Sequence, residues 1–153
     1  MLESTPILSP QVRVNIAIAT NEATEISDIA AFPGRLIPIG GQARPVSSAK
    51  FGGSSHLSNI LLELRRFNSN TSVIINLRWD SIVSDILNKL EVSSAKLERN
   101  GENLSITKAS SEVEALIDEG GYGFEPSLYI IGKNHERVCK IVENLGEYME
   151  AMA

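Results

Sequence analysis

One cysteine, Cys139, is present in the whole sequence, so no internal disulfide can form. It lies in an amphipathic stretch and reads as a small packing residue rather than a nucleophile. With only His56 and His135 beside it, the chain lacks the ligands for a Cys/His zinc site. No apolar run reaches the ~18 residues a membrane helix needs. Residues 1–10 have no basic start and carry Pro6 and Pro10, which does not fit a signal peptide. A cytoplasmic protein with no membrane partner is therefore expected. Positive charge is also in deficit: the net charge of −5 argues against a general nucleic-acid binder, so no direct contact with nucleic acid is expected. The P-loop, the nucleophile elbow and the dinucleotide-binding glycine fingerprint are all absent.

A second absence is local. Between Ile29 and Leu62 there is no Asp or Glu, while Arg35, Arg44, Lys50 and His56 fall inside that window. A segment without acids but with bases suits an anionic ligand, or is simply a locally basic loop. The 153 residues, 42% hydrophobic and 22% charged, fit one globular domain with one core. Residues 1–10 read as a flexible lead-in and 11–153 as the domain, with no internal repeat and no linker.

Val12, Val14, Ile16 and Ile18 alternate with more polar or smaller residues, which predicts a strand. Thr24 to Phe32 reads as a short helix ended by Pro33-Gly34, Leu36 to Ile39 as a short strand, and Gly40 to Gly53 as a long loop. Leu57, Ile60, Leu61, Leu64 and Phe67 recur at helical spacing. Ser72 to Leu77 is a buried strand. It leads into a helix capped by Asp80 or Ser81, with Ile82, Val83, Ile86, Leu87 and Leu90 on one face. Val92–Glu98 and Leu104–Thr107 flank Asn100-Gly101, a hairpin signal. Ser111 to Ile117 reads as a short helix and Leu128 to Ile131 as a buried strand. A final helix is capped by Asn134 and presents Val138, Ile141, Val142, Leu145 and Met149 inward. Helices between some strands and a hairpin in the middle imply a mixed sheet with helices packed on it, an α/β fold that is not a clean βαβ alternation.

Three segments carry candidate chemistry. Phe51-Gly52-Gly53-Ser54-Ser55-His56 precedes the clearest helix. Its glycines let backbone approach a ligand, and the helix start offers unpaired N–H groups at the positive end of the dipole. With Ser54, Ser55 and His56 this makes a phosphate cradle, or else Ser55 only caps the helix and His56 is a surface residue of its first turn. Asp118-Glu119-Gly120-Gly121-Tyr122-Gly123-Phe124-Glu125-Pro126 has three glycines in four positions, more than a helix cap requires, and can wrap an anion with backbone N–H groups. Asn76-Leu77-Arg78-Trp79-Asp80 leaves the C-terminal end of a strand, where α/β sheets bind ligands. There Arg78 can clamp a phosphate, while Trp79 stacks on a ring or fills the core and Asp80 binds or caps.

These three segments, in this order, resemble the ThiN family, and Val14-Asn15-Ile16 and Phe32-Pro33-Gly34-Arg35 resemble its N-terminal portion. The likeness runs from about residue 11 to residue 147. It implies a three-layer α/β/α domain with a mixed sheet and, more weakly, a homodimer. ThiN domains occur as thiamine-phosphate synthases, alone or behind a hydroxymethylpyrimidine phosphate kinase. They also occur as the ligand-sensing half of an archaeal repressor behind a helix-turn-helix domain. The resemblance therefore implies a phosphorylated thiamine or its phosphorylated precursors as ligand. For the enzyme it implies joining of hydroxymethylpyrimidine diphosphate to a thiazole phosphate with release of diphosphate. Fixed donors and cations must then meet the departing oxygens, and Mg2+ commonly accompanies diphosphates. The family's enzymes carry an Arg and a His matching Arg35 and His56, which become the expected catalytic residues. Gly52, Gly53, Ser54, Ser55, Asn76, Arg78, Asp80, Gly120, Gly121, Gly123 and Glu125 are expected to bind substrate or phosphate. The chain departs from the family's pattern at Phe124, often Lys, at Ile18, often aromatic, and at Asn59, often basic. The first departure weighs against the enzyme and leaves binding intact.

Overall fold

The computed structural model describes Leu8 and residues 13–152. Apart from Leu8, the expected lead-in lies outside the described residues, as does Val12. A seven-stranded sheet forms the middle layer, in the order β5-β2-β1-β6-β11-β10-β7. Its strands are β1 (Ile16–Ala19), β2 (Ile29–Ala31), β5 (Lys50–Phe51), β6 (Val73–Arg78), β7 (Ser94–Lys96), β10 (Ala115–Asp118) and β11 (Ser127–Gly132). All neighbours are antiparallel except β10 and β7, which run parallel. Two ribbons stand apart from the sheet: β3 (Leu36–Ile39) with β4 (Gln42–Pro45), and β8 (Glu98–Asn100) with β9 (Asn103–Ser105).

Period-2 alternation in the central strands assigns each side chain to a layer. Along β6, Val73, Ile75 and Leu77 join one core with Ile86 of α2 (Ser81–Lys89) and Ile141 and Leu145 of α4 (His135–Met152). Ile74 points the other way, into a core with Ile60, Leu61 and Leu64 of α1 (Ser55–Arg65). The sheet is thus covered on both faces, the three-layer α/β/α arrangement. The ribbon β3–β4 adds Leu36 and Ala43 to the α2–α4 side, and Leu8 is fully buried there. Ser54 accepts from the Leu57 N–H to cap α1, so the cap is one residue earlier than Ser55. Asp80 caps α2 by accepting from Val83, and Asn134 accepts from the Arg137 N–H at the start of α4.

Three expectations are corrected. Thr24 to Phe32 is not one helix: a single 3-10 turn, Ile26–Asp28, is followed by strand β2, because Ile29 and Ala31 are needed under α1. Gly40 to Gly53 is not a structureless loop but holds β4 and the edge strand β5. Ser111 to Ile117 is not a helix. A one-turn helix α3 (Lys108–Ser111) precedes β10, whose Ala115, Leu116 and Ile117 are all buried between β11 and β7.

Candidate functional site

Eight polar or charged residues are buried among the described residues, and four of them, Asn15, Asn76, Asp118 and Ser127, line one cleft of about 250 Å3. Buried polar groups are the informative exceptions in a core, and here the sheet gathers them. Asn76 pairs with Tyr129, and Asp118 pairs with Ser127, in the β6–β11 and β10–β11 registers. Asn15 precedes β1 beside Asn76, whose N–H donates to the Asn15 carbonyl at 3.3 Å. Alternation turns all of these toward the α1 layer. The row therefore crosses four strands at the C-terminal ends of β6 and β10, just beyond the N-terminus of α1, where Ser54 and His56 complete the wall. A strand C-terminal end beside a helix N-terminus is a favourable place for an anion.

The two amide side chains build the cation's position. Asn76 Oδ1 accepts from the Asn15 N–H at 2.7 Å, and Asn76 Nδ2 donates to the Arg13 carbonyl at 3.0 Å. Asn15 in turn clamps Phe32, donating to its carbonyl at 2.8 Å and accepting from its N–H at 3.2 Å. The Phe32 carbonyl also accepts from the Arg35 N–H, closing the Pro33-Gly34 turn. Arg35 itself has φ 63, left-handed backbone that a side-chain-bearing residue adopts at a cost of about 1 kcal/mol. Such strain concentrates where a side chain must be aimed, and Arg35 is aimed into the cleft.

Opposite stands a second assembly, which joins the glycine-rich segment to an arginine that the sequence did not point to. Arg99 on β8 reaches across to Asp118, with Nε at 3.2 Å and one Nη at 2.5 Å from the two carboxylate oxygens. Its other Nη donates to the Gly101 carbonyl at 3.0 Å, and its guanidinium lies 4.2 Å from the Phe124 ring centroid. Hydrogen bonding to Asp118 raises the Arg99 pKa further. Asp118 Oδ1 also accepts from the Gly120 N–H at 2.9 Å, so the pair anchors the glycine-rich loop. Gly120 has φ +76, and a Cβ there would come within 2.6 Å of the Phe124 carbonyl; this glycine serves the loop's fold. Gly123, Phe124 and Glu125 reach the cleft, whereas Gly120 and Gly121 are not among its lining residues.

His56 lies between the two assemblies. Its Nε2 is 2.8 Å from the Tyr129 hydroxyl, with the rings tilted by 52°. The ring keeps one side open to the cleft, yet the packing around it removes enough water to lower its pKa. Arg35 lowers it further, and Asp118 opposes this by more than Arg99 adds to it. Tyr129 is buried, and that burial with Asp118 nearby pushes its pKa up to about 12, so it remains a neutral phenol.

Of the expected site residues, Arg35, Ser54, His56, Asn76, Gly123 and Glu125 line the cleft, and the two glycine-rich segments meet there. Gly52, Gly53, Ser55, Arg78, Asp80, Gly120 and Gly121 do not line it. Gly53 is where the chain passes so close to β2 that a Cβ would meet the Ala31 carbonyl oxygen at 2.3 Å. Arg78 pairs with Asp80, both Nε and Nη2 at 2.9 Å. Trp79 packs against the α2–α4 core and donates to Glu119 at 3.3 Å, which is the core-filling alternative. Sequence reasoning missed Ser127 and Tyr129, and it held Asn15 and Asp118 only inside longer motifs. The available signal was polar side chains at α1-facing positions of apolar strands. For Arg99 there was none, since only tertiary pairing brings β8 over the sheet.

The donor set does not fit a protein-held magnesium site. Among the described residues no group of three His, Cys, Asp or Glu side chains is arranged for a metal, and Asp118 is taken up by Arg99. No described helix is long and apolar enough to cross a membrane.

Comparison with known proteins agrees with this architecture. A family model described as thiamine-phosphate synthase ThiN matches residues 1–144. The chain is 28% identical over 148 residues to the bifunctional thiamine biosynthesis protein ThiDN of Methanocaldococcus jannaschii, covering 89% of this chain and 35% of that protein. It thus spans about a third of that relative's length. It is 22% identical over 151 residues to the thiamine-phosphate synthase ThiN of Methanothermobacter thermautotrophicus, covering 88% of this chain and 80% of that one. A crystal structure of the C-terminal domain of protein MJ0236 superposes with a TM-score of 0.80 at 25% identity, over 95% of this chain and 87% of that one. The C-terminal domain of a phosphomethylpyrimidine kinase gives 0.73 at 20% identity, over 92% and 88%. By a family model that spans nearly its whole length, and by a fold shared with these domains, the chain belongs to the ThiN family.

Proposed function

We propose that the chain acts in thiamine biosynthesis as a thiamine-phosphate synthase, joining hydroxymethylpyrimidine diphosphate to a thiazole phosphate and releasing diphosphate. The observation that carries this reading is the placement of Arg35 and His56 in one cleft, above a row of buried polar side chains and at the N-terminus of α1. When the carbon–oxygen bond to diphosphate breaks, negative charge collects on the leaving oxygens and positive charge on the pyrimidine methylene. Arg35 supplies a cation on a backbone held by Asn15, and the α1 N-terminus adds oriented N–H dipoles. Both are in place before the bond breaks, which is the condition for lowering the barrier electrostatically. His56, uncharged, offers a hydrogen bond rather than a second cation. The thiazole nitrogen then attacks the methylene carbon and takes the bond that the diphosphate gave up. The described residues present no cluster of metal ligands, so in this reading magnesium accompanies the diphosphate oxygens rather than a protein-built site.

The test is an assay with pyrimidine diphosphate, thiazole phosphate and magnesium. Thiamine phosphate formation is expected, falling about 100- to 1,000-fold in Arg35→Ala and His56→Ala, the usual loss for one preorganised electrostatic donor. A second reading, a non-catalytic thiamine-phosphate sensor, is favoured by Phe124, which contributes a ring rather than a charge to the cleft. Tight binding of thiamine phosphate without any synthesis would select it. Activity that survives both substitutions would leave the synthase standing and remove these two residues from its chemistry.

A further inference from the structure

One hydrogen bond in the cleft joins His56 to a neighbouring protein side chain, and its direction decides the form in which His56 meets any ligand. The Tyr129 hydroxyl sits 2.8 Å from His56 Nε2, and no other hydrogen bond of that imidazole exists among the described residues. Two residues before Tyr129 on the same face of β11, Ser127 also lines the cleft. A phenol O–H is a stronger acid than an imidazole N–H, and an imidazole nitrogen is a stronger base than a phenol oxygen, so the favoured direction is from the Tyr129 hydroxyl to His56 Nε2. Tyr129 is 2% exposed and wedged into the α1 core, so packing holds its ring where the hydroxyl meets His56.

Building on the synthase reading of the cleft, we infer that Tyr129 is a positioning residue that fixes His56 in the tautomer with its hydrogen on Nδ1, so that the ring meets the substrate as a neutral, pre-oriented donor. An imidazole has one hydrogen when neutral. If Nε2 is committed as an acceptor, Nδ1–H is the donor left for a substrate oxygen. The charged groups that face the ring agree with an uncharged imidazole: Arg35 from the turn before β3 and Arg99 from β8 both oppose a third positive charge. Asp118 from β10 favours one, but it is held by Arg99. Glu125 completes the nearby charges on the cleft wall.

The experiment reads the ring directly. The sequence has two histidines, and His135 is an exposed residue at the start of α4, so it serves as an internal reference. Nitrogen-15 long-range correlation spectra of the whole chain at neutral pH are expected to show His56 as the Nδ1–H tautomer and His135 as the usual solvent mixture. In Tyr129→Phe, which keeps the ring that fills the core, His56 is expected to move toward that mixture and to titrate at higher pH. Turnover is expected to fall about tenfold with KM changed less, the lower end of what losing an orienting partner of a functional histidine costs. Finding His56 as the Nε2–H tautomer in the unmodified chain overturns the inference without reference to any variant. So does a Tyr129→Phe spectrum identical to the parent's. If the chain proves to bind thiamine phosphate without making it, the synthase reading fails, while the tautomer measurement still decides this one.

Discussion

Asp118 shows how much one side chain holds in this cleft. It is 1% exposed, and it binds the Arg99 guanidinium through both oxygens and the Gly120 N–H through one. Replacing it with alanine strands the Arg99 charge at a site where that side chain is only 12% exposed, and releases the start of the glycine-rich loop. Removing one partner of a buried pair costs about 3 kcal/mol or more, so Asp118→Ala is expected to lose about that much in denaturant unfolding. The exposed pair Arg66–Glu63, 70% and 50% accessible, provides the contrast: Glu63→Ala should stay within about 0.5 kcal/mol of the parent. Equal losses for the two would mean that burial does not set the worth of the Asp118 pair. In the sequence Asp118 was visible only as the first residue of a glycine-rich segment. Its partner Arg99 looked like the corner of a hairpin, because a pairing over 19 positions leaves no periodic trace.

At the scale of elements, the long helices and the short strand Leu36–Ile39 were legible, and the strands β2 and β10 were mistaken for short helices, for a physical reason. The periods of α1, α2 and α4 run over two or more turns, long enough for the apolar stripe to identify itself. Strands β2 and β10 are three and four residues long, and each is decided by what lies beside it. Ala115-Leu116-Ile117 would suit a helix equally well, but β11 and β7 offer it backbone partners on both sides. The cradle before α1 follows the same logic: its glycines looked like ligand-facing residues, and Gly53 instead allows strand β5 to turn tightly against β2. A methyl group there would sit 2.3 Å from the Ala31 carbonyl oxygen and 2.9 Å from that of Lys50, both backbone atoms that cannot swing away. Gly53→Ala is expected to cost about 2–3 kcal/mol and to weaken ligand binding by shifting Ser54 and His56. Gly52→Ala, with φ +76 and nothing within 4 Å, should cost only the left-handed backbone, about 1 kcal/mol. Thermal unfolding of the pair separates the effects, and a Gly52 variant worse than the Gly53 variant would contradict this account of the turn.

For the molecule as a whole, the sheet makes the cleft a property of the entire fold. Its walls come from Asn15 just before β1, from β6, β10 and β11, from the start of α1, from the glycine-rich loop, from the β8–β9 ribbon and from the turn before β3. The same strands β6 and β11 carry both cores, one on each face. Opening any one of these elements dismantles part of the cleft, so a ligand that occupies it binds only the folded chain and stabilises all of it. At a concentration 100 times its dissociation constant, a single-site ligand adds about 2.7 kcal/mol. For a chain of this size that moves the unfolding midpoint up by about 5–10 °C. Thiamine phosphate is expected to produce this shift in one cooperative transition, and Arg35→Ala to reduce it at the same ligand concentration. Arg137→Ala tests whether the effect belongs to the cleft. Arg137 pairs with Glu114 at the opposite end of the sheet, 2.6 Å from its carboxylate, with both side chains partly exposed. Losing that pair should lower stability slightly and leave the ligand-induced shift intact. A shift absent from the parent chain at millimolar thiamine phosphate, or equally diminished by Arg35→Ala and Arg137→Ala, would show that the cleft at the C-terminal ends of β6 and β10 is not where such a ligand binds.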